Sequence, residues 1–207
     1  RRSEVLLAET VHPEYIAVLR TVLSDLNITI TMLEATDGKI APSTVEAHCS
    51  EQTAAVIVQS PNIWGQIEDW EGCFDRAHQN PKVAAIAVFN PIACGMLKTP
   101  GECGADIAVG EGQPLGNALN LGGPYLGLLA AKESYARKMP GRLVGMTTDA
   151  EGRRAFFVAG PAKGSPELDP RDWLHRAGSC RRRECPRHSS SSRPLPSRRG
   201  PDPVGHC

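Results

Sequence analysis

The sequence predicts an α/β fold in which helices flank a mostly parallel sheet. Over residues 1–158, short apolar runs of strand length alternate with amphipathic stretches, as consecutive strand–helix units require. Two of the runs, AAVIVQ at 54–59 and VAAIAVF at 83–89, are apolar almost throughout, which is typical of parallel strands buried on both faces. The 207 residues are enough to enclose one sizeable core.

The chain begins with a predicted strand, a helix and a second strand. The run VLLAE at 5–9 has the length and composition of a strand. Pro13 opens the helix, because proline fits the first helical turn, and apolar residues recur at helical spacing as far as Leu26. The segment NITITMLEA at 27–35 alternates as a half-buried strand does.

Turn and cap signals organise the middle of the chain. The Asp-Gly pair at 37–38 predicts a tight turn, and Ser43 is the expected N-cap of a short helix over 44–50. The Ser-Pro-Asn sequence at 60–62 ends the first buried strand. The segment that follows it predicts a helix that ends near Gln79.

Two further apolar runs lie on either side of a glycine-rich segment. DIAVG at 106–110 and GLLAA at 127–131 have strand length, and the turn after the first of them begins GEGQPLG. This turn does not match the dinucleotide-binding pattern G-x-G-x-x-G, because its third glycine is displaced by one residue and Pro114 prevents a clean helix start. The alternative is a loop whose glycines allow close packing and unusual backbone angles.

Polar and glycine residues follow several of the predicted strands. The segments after parallel strands meet at one edge of the sheet, where ligands bind. Glu111 is a candidate general base there, and His12 is a candidate base or stacking group. The structural alternatives are a solvated loop carboxylate and a histidine that supports a strand end. The residues expected at this edge are Thr10, Val11, His12, Ser60, Pro61, Asn62, Asn90, Pro91 and 110–113.

Composition excludes several classes of function. The formal net charge is zero, so no general attraction to nucleic acid or membrane is expected. No apolar run reaches the roughly 18–20 residues of a membrane span. The seven cysteines have no repeated spacing, which favours reduced thiols over a disulfide framework or a metal site.

Residues 159–207 differ sharply from the rest of the chain. They are rich in Arg, Pro and Ser and contain almost no periodic apolar residues. Such a segment cannot bury enough surface to offset the entropy of ordering, so we expect a disordered tail. Its Cys180, Cys185 and His188 have a spacing that we attribute to coincidence rather than to zinc binding.

Four long segments carry a resemblance to a known family. They are VHPEYIAVLRT at 11–21, AAVIVQSPNIWGQIED at 54–69, FNPIACGMLKTPGECGADIAVGEGQPLG at 89–116 and LGGPYLGLLAAKESYARKMPGRLVGMTTDAEGRRAF at 121–156. Together they resemble the bacterial-type subunit 1 branch of the P-protein family, the glycine dehydrogenases (decarboxylating) of the glycine cleavage system. The resemblance covers residues 4–157.

The resemblance implies a fold and a reaction. The fold is the large domain of the fold-type-I pyridoxal-phosphate enzymes, present here in part as residues 1–158. In the reaction, glycine loses its carboxylate while pyridoxal phosphate serves as electron sink, and the aminomethyl group passes to the lipoyl group of the H-protein. The implied partners are the H-protein and a subunit 2 that carries the cofactor, and the implied location is the cytoplasm.

The resemblance also assigns roles to positions. Gln113 lies in the turn where the related catalytic subunit has its cofactor lysine, and an amide cannot form a Schiff base. Asn90 replaces the acid that keeps the pyridine nitrogen charged, so the segment resembles the remains of a cofactor pocket. The residues expected at the subunit interface or the mouth of the site are Asn62, Gly110, Gly112, Gly122, Gly123 and Tyr125.

The resemblance stops at about residue 158. We expect the sequence beyond that point to reflect a shifted reading frame or a fragmentary gene, and we expect that the chain alone cannot assemble a competent enzyme. Two alternatives stay open. One is an independent pyridoxal-phosphate enzyme such as an aminotransferase, against which the missing lysine argues. The other is a non-catalytic scaffold domain.

Overall fold

The computed structural model describes residues 2–121, 125–139 and 143–159. The chain divides into two units, residues 1–140 and 141–207, and each is described by itself. The predicted domain boundary at 158 stays a prediction. The disordered tail was predicted over residues 159–207. Of these, residues 160–207 lie outside the described part of the chain.

The first unit contains a six-stranded sheet whose strands lie in the order β2-β1-β3-β4-β5-β6. The first five strands are parallel, and β6 pairs antiparallel with β5 at one edge. The predicted mostly parallel sheet is therefore confirmed, with strand ends that differ from the predicted ones by at most two residues. The strands are β1 Glu4–Ala8, β2 Thr29–Leu33, β3 Thr53–Ser60, β4 Ala84–Phe89, β5 Ile107–Glu111 and β6 Gly127–Ala131.

Three α-helices connect the strands of this sheet. They are α1 Pro13–Leu23, α2 Pro42–His48 and α3 Trp70–His78. The predicted N-cap of α2 is wrong: Pro42 takes the first helical position, so Ala41 becomes the cap and Ser43 lies inside the helix. Helix α3 begins later than predicted, and its cap Asp69 accepts a hydrogen bond of 2.9 Å from the backbone N–H of Gly72.

Short 3₁₀ turns follow three of the strands. They span Ala93–Gly95, Gln113–Leu115 and Glu133–Lys138. The turn predicted at 37–38 is confirmed, with both residues at positive φ and a bridge between Thr36 and Lys39 across it.

The core of the first unit lies on both faces of β3 and β4. Val56 and Val58 are fully buried on one face, with Ala85 and Ala87 paired beside them, and Ile57 is only 7% exposed on the other face, as the two continuously apolar runs predicted. Helix α3 covers this region, and Phe74 on it is fully buried too. Burying apolar area removes it from water at about 25 cal/mol per Å², so the burial of these central strands stabilises the fold.

Helix α1 lies against the sheet along one side only. Ile16 and Leu19 pack partly against the core, whereas Val18 and Val22 are 59% and 66% exposed. The helix ends at Leu23, three residues before the predicted end, because the Ser24 hydroxyl and N–H both bond to the Thr21 carbonyl.

The second unit contains an antiparallel hairpin. Its strands are β7 Leu143–Thr148 and β8 Arg154–Ala159. They pair in continuous register, from Leu143 opposite Ala159 to Thr148 opposite Arg154. Asp149 closes the turn, because its carboxylate accepts hydrogen bonds from the backbone of Glu151 and Arg153. No strand was predicted from the sequence in this region.

Asp106 joins three elements at the amino end of β5. Its carboxylate, on a residue 8% exposed, contacts His78 Nε2 at 2.8 Å and accepts from the backbone N–H of Ala85 at 2.9 Å. Lys132 Nζ donates to the same carboxylate at 2.8 Å and to the Gly104 carbonyl at 3.1 Å. The group therefore ties α3, β4 and the end of β6 to β5.

The same contacts determine the titration of Asp106. Burial opposes ionisation of its carboxyl group, but the hydrogen bonds from Lys132, Ala85 and His78 outweigh it and lower the pKa below its ordinary value. The folded state thus favours the carboxylate. The corresponding stability is present above the unfolded-state pKa and is lost as pH falls through the lowered folded-state pKa.

We predict that Asp106→Asn lowers the free energy of unfolding by about 1–3 kcal/mol at neutral pH, because it leaves the Lys132 ammonium without its charged acceptor. Urea unfolding of the full chain measures this change. Asp75→Asn, which alters an exposed carboxylate on α3, is the matched control and should have little effect. Equal stability of the two variants, or a difference that does not shrink in acid, would contradict the assignment.

Candidate functional site

A cavity of about 270 Å³ lies where β3, β4 and β5 end. The carboxyl ends of the parallel strands, and the loops that follow them, meet at this edge of the sheet. Ligands bind at this edge in such sheets. The structure thus brings together four of the residues predicted there: Pro61, Asn62, Asn90 and Glu111. The residues that line the cavity are Tyr15, Gln59, Pro61, Asn62, Val88, Phe89, Asn90, Glu111 and Pro114.

Asn62 builds one wall of this cavity. Its side chain is 5% exposed, and Nδ2 donates to the Gly38 carbonyl and to Glu68 Oε1, both at 2.8 Å. Its Oδ1 accepts from the backbone N–H groups of Trp64 and Gln66, both at 3.0 Å. The amide therefore fixes the loop that follows β3, which begins with the cis Ser60–Pro61 peptide.

Glu68, which was not predicted as a site residue, completes the support of that loop. It is 5% exposed, and its Oε2 accepts from the backbone N–H of Ile40 at 2.9 Å. Its own N–H donates to the Ser60 hydroxyl at 3.1 Å. The sequence predicts a helix after Asn62, whereas the structure has a loop there. The hydrogen bonds of Asn62 hold this loop, which turns Glu68 inward.

Glu111 ends β5 at the opposite wall. Its Oε1 accepts from the backbone N–H of Gln113 at 2.9 Å and from that of Leu126 at 3.1 Å. The carboxylate therefore closes the long loop between β5 and β6. Within the described residues, no cationic side chain forms an ion pair with Glu111.

Of the two positions assigned from the family, Asn90 lines the cavity and Gln113 does not. Gln113 starts the 3₁₀ turn, and its Nε2 donates to the Asn117 carbonyl at 2.8 Å, so its side chain holds the loop and does not line the cavity. Asn90 lines the cavity, and its Oδ1 accepts from the backbone N–H of Ile92 at 2.9 Å. Their proposed descent from a lysine and an acid stays a prediction.

The glycines of the turn serve close packing. A Cβ on Gly110 would lie 2.6 Å from the Phe89 carbonyl oxygen, and one on Gly112 would lie 2.8 Å from a methyl carbon of Leu126. Tyr125 is 41% exposed nearby in the chain. Gly122 and Gly123 lie outside the described residues, and the predicted role of all these positions at an interface stays a prediction.

His12 caps helix α1. Its Nδ1 accepts from the backbone N–H of Glu14 at 3.2 Å, and its own N–H donates to Gln59 Oε1 at 2.9 Å. Its ring lies 5.2 Å from that of Tyr15, which lines the cavity, but His12 itself does not line it. His12 therefore supports the start of α1, and its predicted role as a base or stacking group stays a prediction.

The described cavity does not fit pyridoxal phosphate bound through a Schiff base. None of its lining residues is a lysine, an arginine or a histidine, and its one charged side chain, Glu111, would repel a phosphate. Lys98 forms a hydrogen bond of 2.6 Å with Glu71. Lys132 forms one with Asp106 at the amino end of β5, opposite to the end at which the cavity lies.

No group of three or more His, Cys, Asp or Glu side chains that could hold a metal ion occurs in the part of the chain that the structure describes. The cysteines and histidine at 180–188 lie outside it. No helix among the described residues is both long and apolar enough to cross a bilayer.

Comparison with known proteins gives a consistent result. The sequence profile of the family described as glycine cleavage system P-protein matches residues 1–162. The chain is 48% identical over 158 residues to the probable glycine dehydrogenase (decarboxylating) subunit 1 of Desulforamulus reducens, and 46% identical over 158 residues to that of Desulfitobacterium hafniense. Each match covers 76% of this chain and 35% of the relative.

A solved structure agrees with these sequence matches. It is the crystal structure of a glycine decarboxylase (P-protein) of the glycine cleavage system in inhibitor-bound form, with a TM-score of 0.70 and 39% sequence identity. The match covers 85% of this chain and 38% of that one, so the chain spans little more than a third of the length of these relatives. The predicted fold class is confirmed by this likeness.

We predict that Gly110→Ala lowers the free energy of unfolding by about 1–3 kcal/mol, because the added methyl group overlaps the Phe89 carbonyl and ring. Thermal unfolding of the full chain measures the loss. Gly127→Ala is the matched control, since it lies in the neighbouring strand β6 with open space around its Cβ position. The packing role is wrong if the two variants unfold at the same temperature.

Proposed function

The chain belongs to the glycine cleavage system P-protein family, and from this premise we propose that it is a partial subunit 1 of a glycine dehydrogenase (decarboxylating). In this proposal, it supplies structure around the active site of an oxidoreductase, while a partner subunit carries the cofactor. The observation that carries the proposal is the cavity at the carboxyl edge of the sheet, whose lining includes Asn90 and Glu111 but no lysine.

The partners follow from the family. We propose that a subunit 2 binds pyridoxal phosphate and pairs with this chain, and that the lipoyl group of the H-protein accepts the aminomethyl group. When bound in the partner, pyridoxal phosphate supplies the electron sink for decarboxylation. Because relatives named subunit 1 imply a counterpart, a heteromeric assembly in the cytoplasm is the setting that we propose.

In this proposal, the side chains of this chain act by holding two loops in fixed conformations. The amide of Asn62 and the carboxylate of Glu68 hold the loop after β3 in one conformation. Glu111 holds the loop after β5 by accepting two backbone hydrogen bonds. Two loops fixed in this way present a preorganised surface, which lowers the entropic cost of binding a partner.

Exposed apolar side chains near these loops favour a partner surface. Trp64 is 57% exposed on the loop that Asn62 fixes, and Met96 is 92% exposed after β4. Leu121, in the long loop between β5 and β6, is 99% exposed. Large apolar side chains held on ordered loops are typical of residues that become buried in an interface, and aromatic ones often carry much of the binding energy.

We test the proposal with a chimera, because the chain spans about a third of its relatives. Residues 4–157 replace the matching segment of the Desulforamulus reducens subunit 1, and the chimera is mixed with that organism's subunit 2, H-protein and pyridoxal phosphate. We expect co-elution of the two subunits and exchange of the glycine carboxyl group with bicarbonate, because the family fold is retained.

A matched pair of chimeras locates the contact. We expect Trp64→Ala to weaken co-elution by roughly tenfold, because truncating an aromatic anchor commonly costs over 1 kcal/mol. Val144→Ala, a change of an exposed apolar residue in the hairpin, is the comparison. A folded chimera that neither binds subunit 2 nor supports exchange would overturn the proposed function.

A further inference from the structure

Strand β6 forms one edge of the six-stranded sheet. Within the described residues it pairs with β5 alone, in an antiparallel register that runs from Gly127 opposite Glu111 to Ala131 opposite Ile107. A strand with a neighbour on one side only keeps half of its backbone N–H and C=O groups facing outward, where a further strand can pair with them. The outward side of β6 is therefore a candidate interaction surface.

The hydrogen bonds just beyond the two ends of β6 identify the residues that face outward. The Lys132 N–H donates to the Asp106 carbonyl, and the Gly112 N–H donates to the Leu126 carbonyl. Because hydrogen-bonded pairs recur at every second residue of an antiparallel ladder, the even-numbered residues of β6 bond to β5. The odd-numbered residues point their backbone groups away from β5, and they are Gly127, Leu129 and Ala131.

The sequence of β6, GLLAA, has none of the features that usually protect an edge strand. Such strands commonly carry a charged residue, a proline or a bulge, each of which hinders pairing with another chain. Strand β6 has no charged side chain and no proline, and its register with β5 is unbroken. Leu129 at its centre is 43% exposed. The opposite edge is a weaker candidate, because on β2 only Ile30 and Met32 face outward.

We propose that β6 pairs with β6 of a second copy of this chain, antiparallel and about a two-fold axis between the two Leu129 residues. Gly127 then lies opposite Ala131 of the other copy on both sides of the axis. Each of these opposed pairs exchanges two backbone hydrogen bonds, and the two sheets become one. A two-fold interface closes on itself, so the assembly stops at a dimer. The inference goes beyond the proposed function, because it requires no other protein.

The side chains and charges of β6 are compatible with this register. On the second face of the ribbon Leu128 lies opposite Ala130, so every opposed pair is apolar or glycine. The nearest charge is that of Lys132, which already bonds to Asp106 at 2.8 Å. In the antiparallel register the two Lys132 residues lie at opposite ends of the ribbon, about 20 Å apart along the strands. Salt screens charges at that separation, so the two copies do not repel each other here.

The pairing is tested with the full 207-residue chain by sedimentation equilibrium at several loading concentrations. An edge of five residues gives a small interface, and small interfaces are weak and reversible. We therefore expect an equilibrium between monomer and dimer that shifts toward monomer on dilution. A monomer at every concentration, or species larger than a dimer, would overturn the proposal.

A matched pair of variants assigns the dimer to β6. Leu129→Lys places two ammonium groups opposite each other at the two-fold axis, so we expect the dissociation constant of the dimer to rise by about fivefold or more. Thr29→Lys adds the same charge at an exposed position of the other edge strand, β2, and should leave the constant unchanged. Circular dichroism checks that both variants fold. Equal weakening by both variants, or none by Leu129→Lys, would contradict the assignment.

A crosslinking variant fixes the register and keeps the proposal testable if Leu129→Lys fails to fold. In Leu129→Cys the two introduced thiols lie opposite each other, at a Cα separation of about 5.5 Å that a disulfide can span. Mild oxidation and peptide mass spectrometry should identify a link between the two positions 129. Leu128→Cys, whose thiol lies opposite Ala130, should form no link to its counterpart. No link in Leu129→Cys, or equal links in both variants, would overturn the register.

Discussion

The buried hydrogen bond between Asn62 and Glu68, 2.8 Å long, is the constraint on which the carboxyl edge of the sheet depends. Both residues are 5% exposed, and a carboxylate can be buried so deeply only when its oxygens are satisfied. Glu68 meets this condition through Asn62 and the N–H of Ile40, which joins the loop after β3 to the segment before α2. One wall of the cavity and the outward position of Trp64 follow from it.

The sequence was sufficient for the parts of the fold that local pattern determines. Strands β3 and β4 were predicted because their apolar runs are almost continuous, as burial on both faces requires. The cap of α2 was wrong because two local signals compete, and Pro42 at the first helical position outweighs Ser43 as a cap. The Asp106 group could not be predicted, since His78 and Lys132 lie 28 and 26 residues away along the chain.

The location of the site was predicted from the sequence, but the hydrogen-bond partners of its residues were not. Topology alone brings the ends of β3, β4 and β5 to one edge, so Asn62, Asn90 and Glu111 could be grouped from the sequence. Their partners could not be, because three of the four side-chain bonds of Asn62 and both bonds of Glu111 are to backbone groups whose positions depend on the folded loops. Glu68 was missed because a helix was predicted over its segment, whereas it lies in a loop before α3 and its partner Ile40 is distant in the sequence.

The central claim is that this part of the family fold supplies structure around the active site. It does not supply the lysine that binds the cofactor. The most direct measurement mixes the full chain with equimolar pyridoxal phosphate, reduces it with borohydride and maps the modified lysines by mass spectrometry. The account predicts that no lysine is modified stoichiometrically, because none lines the described cavity. Stoichiometric modification of a single lysine would contradict it and would favour an independent pyridoxal-phosphate enzyme.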